Sequence, residues 1–93
     1  MSTRANRITA ALTAAFAPAV LEVRDDSHLH AGHAGAREGG ETHYGVTMVA
    51  ASLEGKSRVD RSRAVHAVLA EELGSGLHAL ALTLRTPAEQ AAR

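Results

Sequence analysis

Six histidines and no cysteine bound the chemistry open to this 93-residue chain. Three of the histidines crowd one short stretch, His28-Leu29-His30-Ala31-Gly32-His33. Another, His78, is the lone imidazole in the apolar run Gly76-Leu77-His78-Ala79-Leu80-Ala81-Leu82. Imidazole is a common ligand for zinc, nickel, copper and iron. A structural zinc site wants four protein ligands in a closed tetrahedron, and its strong motifs supply cysteines at fixed spacing. Without thiols the chain can form no disulfide, no thiol nucleophile and no self-contained thiolate centre. Any soft metal bound here must take its sulfur from another molecule. If the glycine-rich stretch folds back toward His78, one loop imidazole and His78 make a two-nitrogen half-site with two positions left for outside ligands. The plainer alternatives are a histidine packed at a strand start and bonded to a backbone carbonyl, and a solvated polar loop.

A second constellation is basic. Lys56, Arg58, Arg61 and Arg63 fall within eight residues, opposed by Asp60 alone. Such a group at a helix entrance can contact phosphates, or can be a solvated face. Aromatic residues are 2% of the chain, which argues against single-strand binding by base stacking. No Gly-x-x-Gly loop of the kind that clamps a nucleotide backbone is present. Ser27 beside His28, with Asp25 and Asp26 before them, has residue types suited to nucleophilic or acid–base work. Adjacent residues seldom face one another, however, and no oxyanion-forming element is evident. Glu71 and Glu72 read as the solvated flank of a helix. A non-enzymatic protein is the expectation.

The elements that must position these groups follow from hydrophobic periodicity. Ile8, Ala11, Leu12, Ala15 and Phe16 recur at helical spacing over roughly residues 3–16, and Pro18 closes the segment. Val20, Leu21 and Val23 begin an extended stretch. Residues 27–41 form a His- and Gly-rich loop. From Thr42 to Ala51 strand character returns, with Tyr44, Val46 and Met48 on one face and Thr47 and Val49 on the other, so the two flanking strands predict an antiparallel hairpin. After a turn at Leu53-Glu54-Gly55-Lys56, Asp60 is the expected N-cap of a helix burying Val65, Val68, Leu69 and Leu73. Gly74-Ser75-Gly76 ends it. The next strand puts His78 on the face of Leu80, Leu82 and Leu84. Thr86-Pro87-Ala88-Glu89 is a capping box with proline at the first helical position.

The order αββαβα predicts an α+β domain, a three-stranded sheet with helices packed on one face, spanning residues 1–93 with residues 1–6 flexible. At 45% hydrophobic residues the core is aliphatic and tight, which leaves little room for a deep substrate pocket. The net charge is zero with histidine neutral, so no global field recruits nucleic acid or an anionic membrane. No segment approaches the roughly 18 apolar residues of a membrane span. The N-terminus carries basic residues without the apolar stretch of a secretory signal. A cytoplasmic protein is expected.

These segments together resemble the BolA family over nearly the whole chain. The carriers are Leu21-Glu22-Val23, Asp26-Ser27 leading into the histidine loop, and Glu41-Thr42-His43-Tyr44-Gly45-Val46. To these are added Gly55-Lys56, Arg61-x-Arg63, Leu69-Ala70-Glu71-Glu72-Leu73 and Leu77-His78-Ala79-Leu80-Ala81-Leu82. The resemblance implies a fold related to class II KH domains and partnership with a monothiol glutaredoxin. It also implies a [2Fe–2S] cluster shared with a glutaredoxin cysteine and glutathione, and a monomer or weak homodimer when the protein is alone. His78 matches the family's strand ligand. His30 is the best match for its loop ligand, with His28 and His33 as competitors. The family is also associated with transcriptional regulation, which makes DNA the alternative partner, contacted through Lys56, Arg58, Arg61 and Arg63. Ser62 stands where members often carry histidine, and Leu53 where phenylalanine is common.

Overall fold

The computed structural model describes residues 3–27 and 42–93. The first helix, α1 (Arg4–Phe16), starts where the Thr3 side chain accepts from the Asn6 N–H, and Ile8, Leu12 and Phe16 line its buried face at four-residue spacing. Residues 4–6, expected to be flexible, are its first turn, and Arg4 is buried. Ala17 ends the helix in the left-handed region at φ 46°, its N–H returning to Thr13 O, and Pro18 bars continuation.

The sheet has three strands, β1 (Val20–Asp25), β2 (His43–Val49) and β3 (Ala79–Arg85), in the order β1-β2-β3. The expected hairpin is present: β1 and β2 run antiparallel, Val20 opposite Val49 and Asp25 opposite Tyr44. β3 lies parallel to β2, His43 opposite Ala79 and Val49 opposite Arg85. A parallel neighbour requires a crossover, and the helical segment between β2 and β3 supplies it. Tyr44, Val46 and Met48 join Leu21 and Val23 of β1 and Leu80, Leu82 and Leu84 of β3 on the face that packs against the helices. That face and the helical residues Ile8, Leu12, Phe16, Val65 and Leu69 make one core. Each fully buried leucine or isoleucine contributes about 1.5–3 kcal/mol there. On the opposite face the Arg24 side chain lies across Gly45, where a Cβ would meet its guanidinium, and Arg24 also reaches Glu22 at 2.6 Å.

A short 3-10 segment, Ala51–Leu53, leads to a turn in which Gly55 takes φ 80°, a conformation that favours glycine. Helix α2 (Arg58–Val68) then begins one turn earlier than expected. Its N-cap is Ser57, whose hydroxyl accepts the Asp60 N–H, while Asp60 lies in the first turn. The two positions are three residues apart, so Asp60 satisfies the helix dipole from inside the helix rather than capping it. The expected continuous helix breaks at Leu69, φ −98° and ψ 18°, and resumes as α3 (Ala70–Gly74). Helix α4 (Pro87–Ala91) has the full capping box, Thr86 and Glu89 each accepting the other's backbone N–H. No helix among the described residues is long and apolar enough to cross a membrane.

Glu72 corrects the reading of the Glu71-Glu72 pair as a solvated flank. Arg4 Nη1 lies 2.6 Å from Glu72 Oε1, and Arg7 Nε lies 2.9 Å from Oε2. The hydrogen bond from Arg7, and the charges of both arginines, hold the Glu72 carboxyl below its ordinary range against the opposing effect of burial. Arg4 also donates to Glu72 O and to Ser75 O, so it clamps the turn that leads into Leu77 and His78. Glu72→Ala leaves a buried guanidinium short of its counter-charge, and the expected loss is about 2–3 kcal/mol in urea denaturation. A midpoint unchanged from the parent would contradict the clamp.

Candidate metal centre

Two imidazoles meet at one end of the sheet. His43 is the first residue of β2 and is 6% exposed; His78 immediately precedes β3 and is exposed. Their ring centroids are 5.3 Å apart with the planes tilted by 52°. His78 was expected on the core face with Leu80, Leu82 and Leu84. Instead the His78 and Ala79 N–H groups both donate to Thr42 O, at 2.7 and 3.1 Å. Sharing one acceptor breaks the strand's two-residue alternation at this point, so the imidazole leaves the apolar face for solvent. Gly76, at φ 129°, sets the entry of the chain into this turn.

The same Thr42 is tied to the end of β1. Ser27 Oγ accepts the N–H groups of Thr42 and His43 at 2.9 and 3.0 Å, and the Asp26 N–H donates to His43 O at 2.7 Å. Thr42 Oγ1 lies 3.3 Å from Ser27 Oγ and 2.9 Å from His43 Nδ1, which fixes the orientation of the His43 ring. The Ser27 hydroxyl, considered above as a nucleophile, is buried and holds backbone. His28, His30 and His33 lie outside the described residues. The residues on either side of that segment, Ser27 and Thr42, are both part of this knot, and Thr42 is bonded directly to the His78 backbone.

Among the described residues no three His, Cys, Asp or Glu side chains come together to hold a metal ion. The donor set is therefore partial: one exposed imidazole, a second ring beside it, and the flanks of a histidine-bearing segment. Imidazole suits iron, and a chain without thiols suits a cluster whose sulfur comes from elsewhere. His43 stood in the Glu41-Thr42-His43-Tyr44 motif but was not singled out as a candidate. Its position opposite Ala79 depends on a parallel register that no local pattern carries.

The basic candidates separate. Lys56 and Arg58 are exposed at the entrance to α2, and Arg63, also exposed, lies 3.6 Å from Asp60. Arg61 is 8% exposed, donating to Glu89 Oε1 at 2.6 Å, Glu89 Oε2 at 3.2 Å and Lys56 O at 3.0 Å. The Arg61 hydrogen bond, with a second from the Thr86 N–H, lowers the Glu89 carboxyl to about 2. Arg61 thus joins α2 to α4 and is not presented outward with the other three.

The fold and site define a small α+β domain with an exposed histidine at the head of its third strand and, at the same end, the two flanks of a histidine-bearing segment. A family model described as "BolA-like protein" matches residues 12–89. The chain belongs to this BolA-like family. It is 49% identical over 78 residues to human BolA-like protein 1, a match that covers 84% of this chain and 54% of the relative. It is 43% identical over 93 residues to SufE-like protein 1 of Arabidopsis thaliana, covering 96% of this chain and 25% of that protein. The solved BolA domain of Arabidopsis SufE1 superposes with a TM-score of 0.86 over 96% of this chain and 98% of that one. The chain thus spans a quarter to about half the length of these curated relatives. The DNA-binding transcriptional regulator BolA of Escherichia coli is 42% identical over 76 residues, covering 82% of this chain and 69% of the regulator.

The knot at Ser27 is open to direct test. Ser27→Ala strands two buried backbone N–H groups, and the expected cost is about 2–3 kcal/mol in chemical denaturation. Faster amide exchange at Thr42 and His43 than in the middle of β2 should accompany it. Unchanged exchange at these two positions would show that the hydroxyl holds nothing.

Proposed function

We propose that this protein is a non-enzymatic, cytoplasmic partner of a monothiol glutaredoxin, acting in iron–sulfur cluster trafficking or iron regulation. It shares a [2Fe–2S] cluster with the glutaredoxin cysteine and glutathione. His78 and a histidine of the segment that follows Ser27 are this chain's ligands, with His30 first and His28 and His33 as its competitors. The observation that carries this reading is the displacement of His78 from the core face into solvent, at the same end of the sheet as both flanks of the histidine segment.

The cluster, when bound, supplies one-electron and sulfur chemistry that no side chain of this protein has. The protein's part is to present nitrogen donors at a set place. Thr42 fixes His78 through the backbone and orients His43 through Nδ1. His43 in turn packs beside the His78 ring and limits its rotation. Neutral imidazoles in place of thiolates reduce the negative charge at the iron they bind and favour a higher reduction potential. An exposed ligand leaves room for a partner to bring its sulfur.

The test is anaerobic reconstitution of the cluster with the cognate monothiol glutaredoxin, followed by visible circular dichroism. His78→Ala should abolish the spectrum of the mixed complex, His30→Ala should change it, and His43→Ala should weaken it without abolishing it. A His78→Ala spectrum identical to the parent would remove the ligand assignment.

The Escherichia coli relative favours a second reading, a DNA-binding transcriptional regulator using the exposed cations Lys56, Arg58 and Arg63. In a salt series with duplex DNA, neutralising Arg58 and Arg63 together should flatten the slope of log affinity against log salt by about two. Equal slopes for parent and variant would exclude these contacts.

A further inference from the structure

β3 is an outer strand, hydrogen-bonded to β2 on one side only. Its other edge faces a cleft of about 480 Å³ closed by α2 and α4. Four of the chain's arginines line this cleft: Arg58 and Arg61 from α2, Arg85 from β3, and Arg93. Glu89 is the one acidic side chain among them.

The charges do not cancel. Both Glu89 oxygens accept from Arg61, and Oε1 also accepts the Thr86 N–H. Arg61 Nε bonds to Lys56 O, and Nη1 also reaches Leu84 O at 3.4 Å. That pair is satisfied within the fold and is neutral as a unit. Among the described residues Arg58 and Arg93 make no side-chain ion pair, and Arg85 has a marginal 3.5 Å contact with the neutral Gln90 side chain. Three arginines of this lining, Arg58, Arg85 and Arg93, therefore have no acidic side chain paired with them among the described residues. Ser62 and Thr83 lie on the same walls, and no hydrogen bond from the Thr83 hydroxyl is present among the described residues. Leu82 and Leu84 add an apolar surface.

Guanidinium forks match phosphate oxygens in pairs and stack on planar bases. The cleft has the size of a small-molecule site, apolar in part and with a few convergent polar groups. A nucleic-acid backbone would instead call on cations spread along the surface, and Lys56 and Arg63 lie outside the cleft. We propose that the cleft between α2, β3 and α4 binds a small phosphate-rich anion of the nucleoside triphosphate class. The triphosphate lies against Arg58, Arg85 and Arg93, and the base against Leu82 and Leu84. Arg61 and Glu89 are positioning residues that tie α2 to α4 and so set the spacing between them. This site is independent of the cluster reading, since no residue is shared with the histidine end.

The experiment titrates the full chain with ATP, inorganic tripolyphosphate and a short DNA duplex at physiological salt, using calorimetry and amide chemical shifts. ATP should bind with shifts at Ser62, Thr83 and Leu84, and tripolyphosphate should bind more weakly. Arg58→Gln with Arg85→Gln should weaken ATP about tenfold or more while leaving the thermal midpoint near that of the parent. A His78→Ala protein should bind ATP as the parent does. Absence of ATP binding at millimolar concentration overturns the proposal, as does equal affinity for parent and double variant. Equal affinity for ATP and tripolyphosphate overturns the nucleoside part. Tighter binding of the duplex, with shifts spreading to Lys56 and Arg63, replaces the cleft with an open nucleic-acid surface.

Discussion

Thr42 is the residue at which all three strands meet, and the placement of both His43 and His78 depends on it. Its N–H reaches Ser27 at the end of β1, its carbonyl takes two donors at the head of β3, and its hydroxyl touches the His43 ring. A carbonyl has two lone pairs, so accepting from both His78 and Ala79 saturates it. That double acceptance is what turns His78 out of the strand. The arrangement also follows from topology. β1 and β2 are antiparallel and β2 and β3 parallel, so the tail of β1 and the heads of β2 and β3 must lie at one end.

The core cannot provide such positioning unaided. With one phenylalanine and one tyrosine, it is built mainly from leucine, isoleucine, valine and methionine on short elements. The short elements are held by charge instead. Arg4 and Arg7 fasten α1 to α3 through Glu72, and Arg61 fastens α2 to α4 through Glu89. Arg4 and Arg61 are buried, so each pair is a commitment: half of it alone is worse than neither. The fold therefore sorts its arginines into those spent on geometry and those left for solvent or a ligand.

That sorting explains where the sequence was legible and where it was not. Helix α1, the β1–β2 hairpin, the face shared by Tyr44, Val46 and Met48, and the capping box of α4 follow from local period and local hydrogen bonds, which composition exposes directly. Arg61 looked like its neighbours Arg58 and Arg63 because its partner Glu89 is 28 residues away and belongs to another element. Glu72 looked solvated because its partners are 65 and 68 residues away. The ring contact of His43 with His78 and the outward turn of His78 depend on the parallel register and on one shared carbonyl. Neither leaves a trace in spacing. The helix break at Leu69 likewise interrupts an apolar stripe that reads as continuous.

β3 connects the two ends that carry unspent chemistry. His78 precedes its first residue, and Leu82, Thr83, Leu84 and Arg85, from its middle residue onward, line the basic cleft. Leu82 is four residues beyond His78, which at about 3.3 Å per residue puts the nearest cleft residue roughly 13 Å away. That exceeds the Debye length of about 8 Å at physiological salt, so an anion in the cleft exerts little direct field on an imidazole at the other end. Communication between them would have to pass mechanically, through a shift of β3 along β2. Such a shift is opposed at the histidine end by the two bonds into Thr42 O and at the cleft end by the bond from Ala50 N–H to Arg85 O. The strand is pinned at both extremities, and the two ends of the protein are thereby built to act separately.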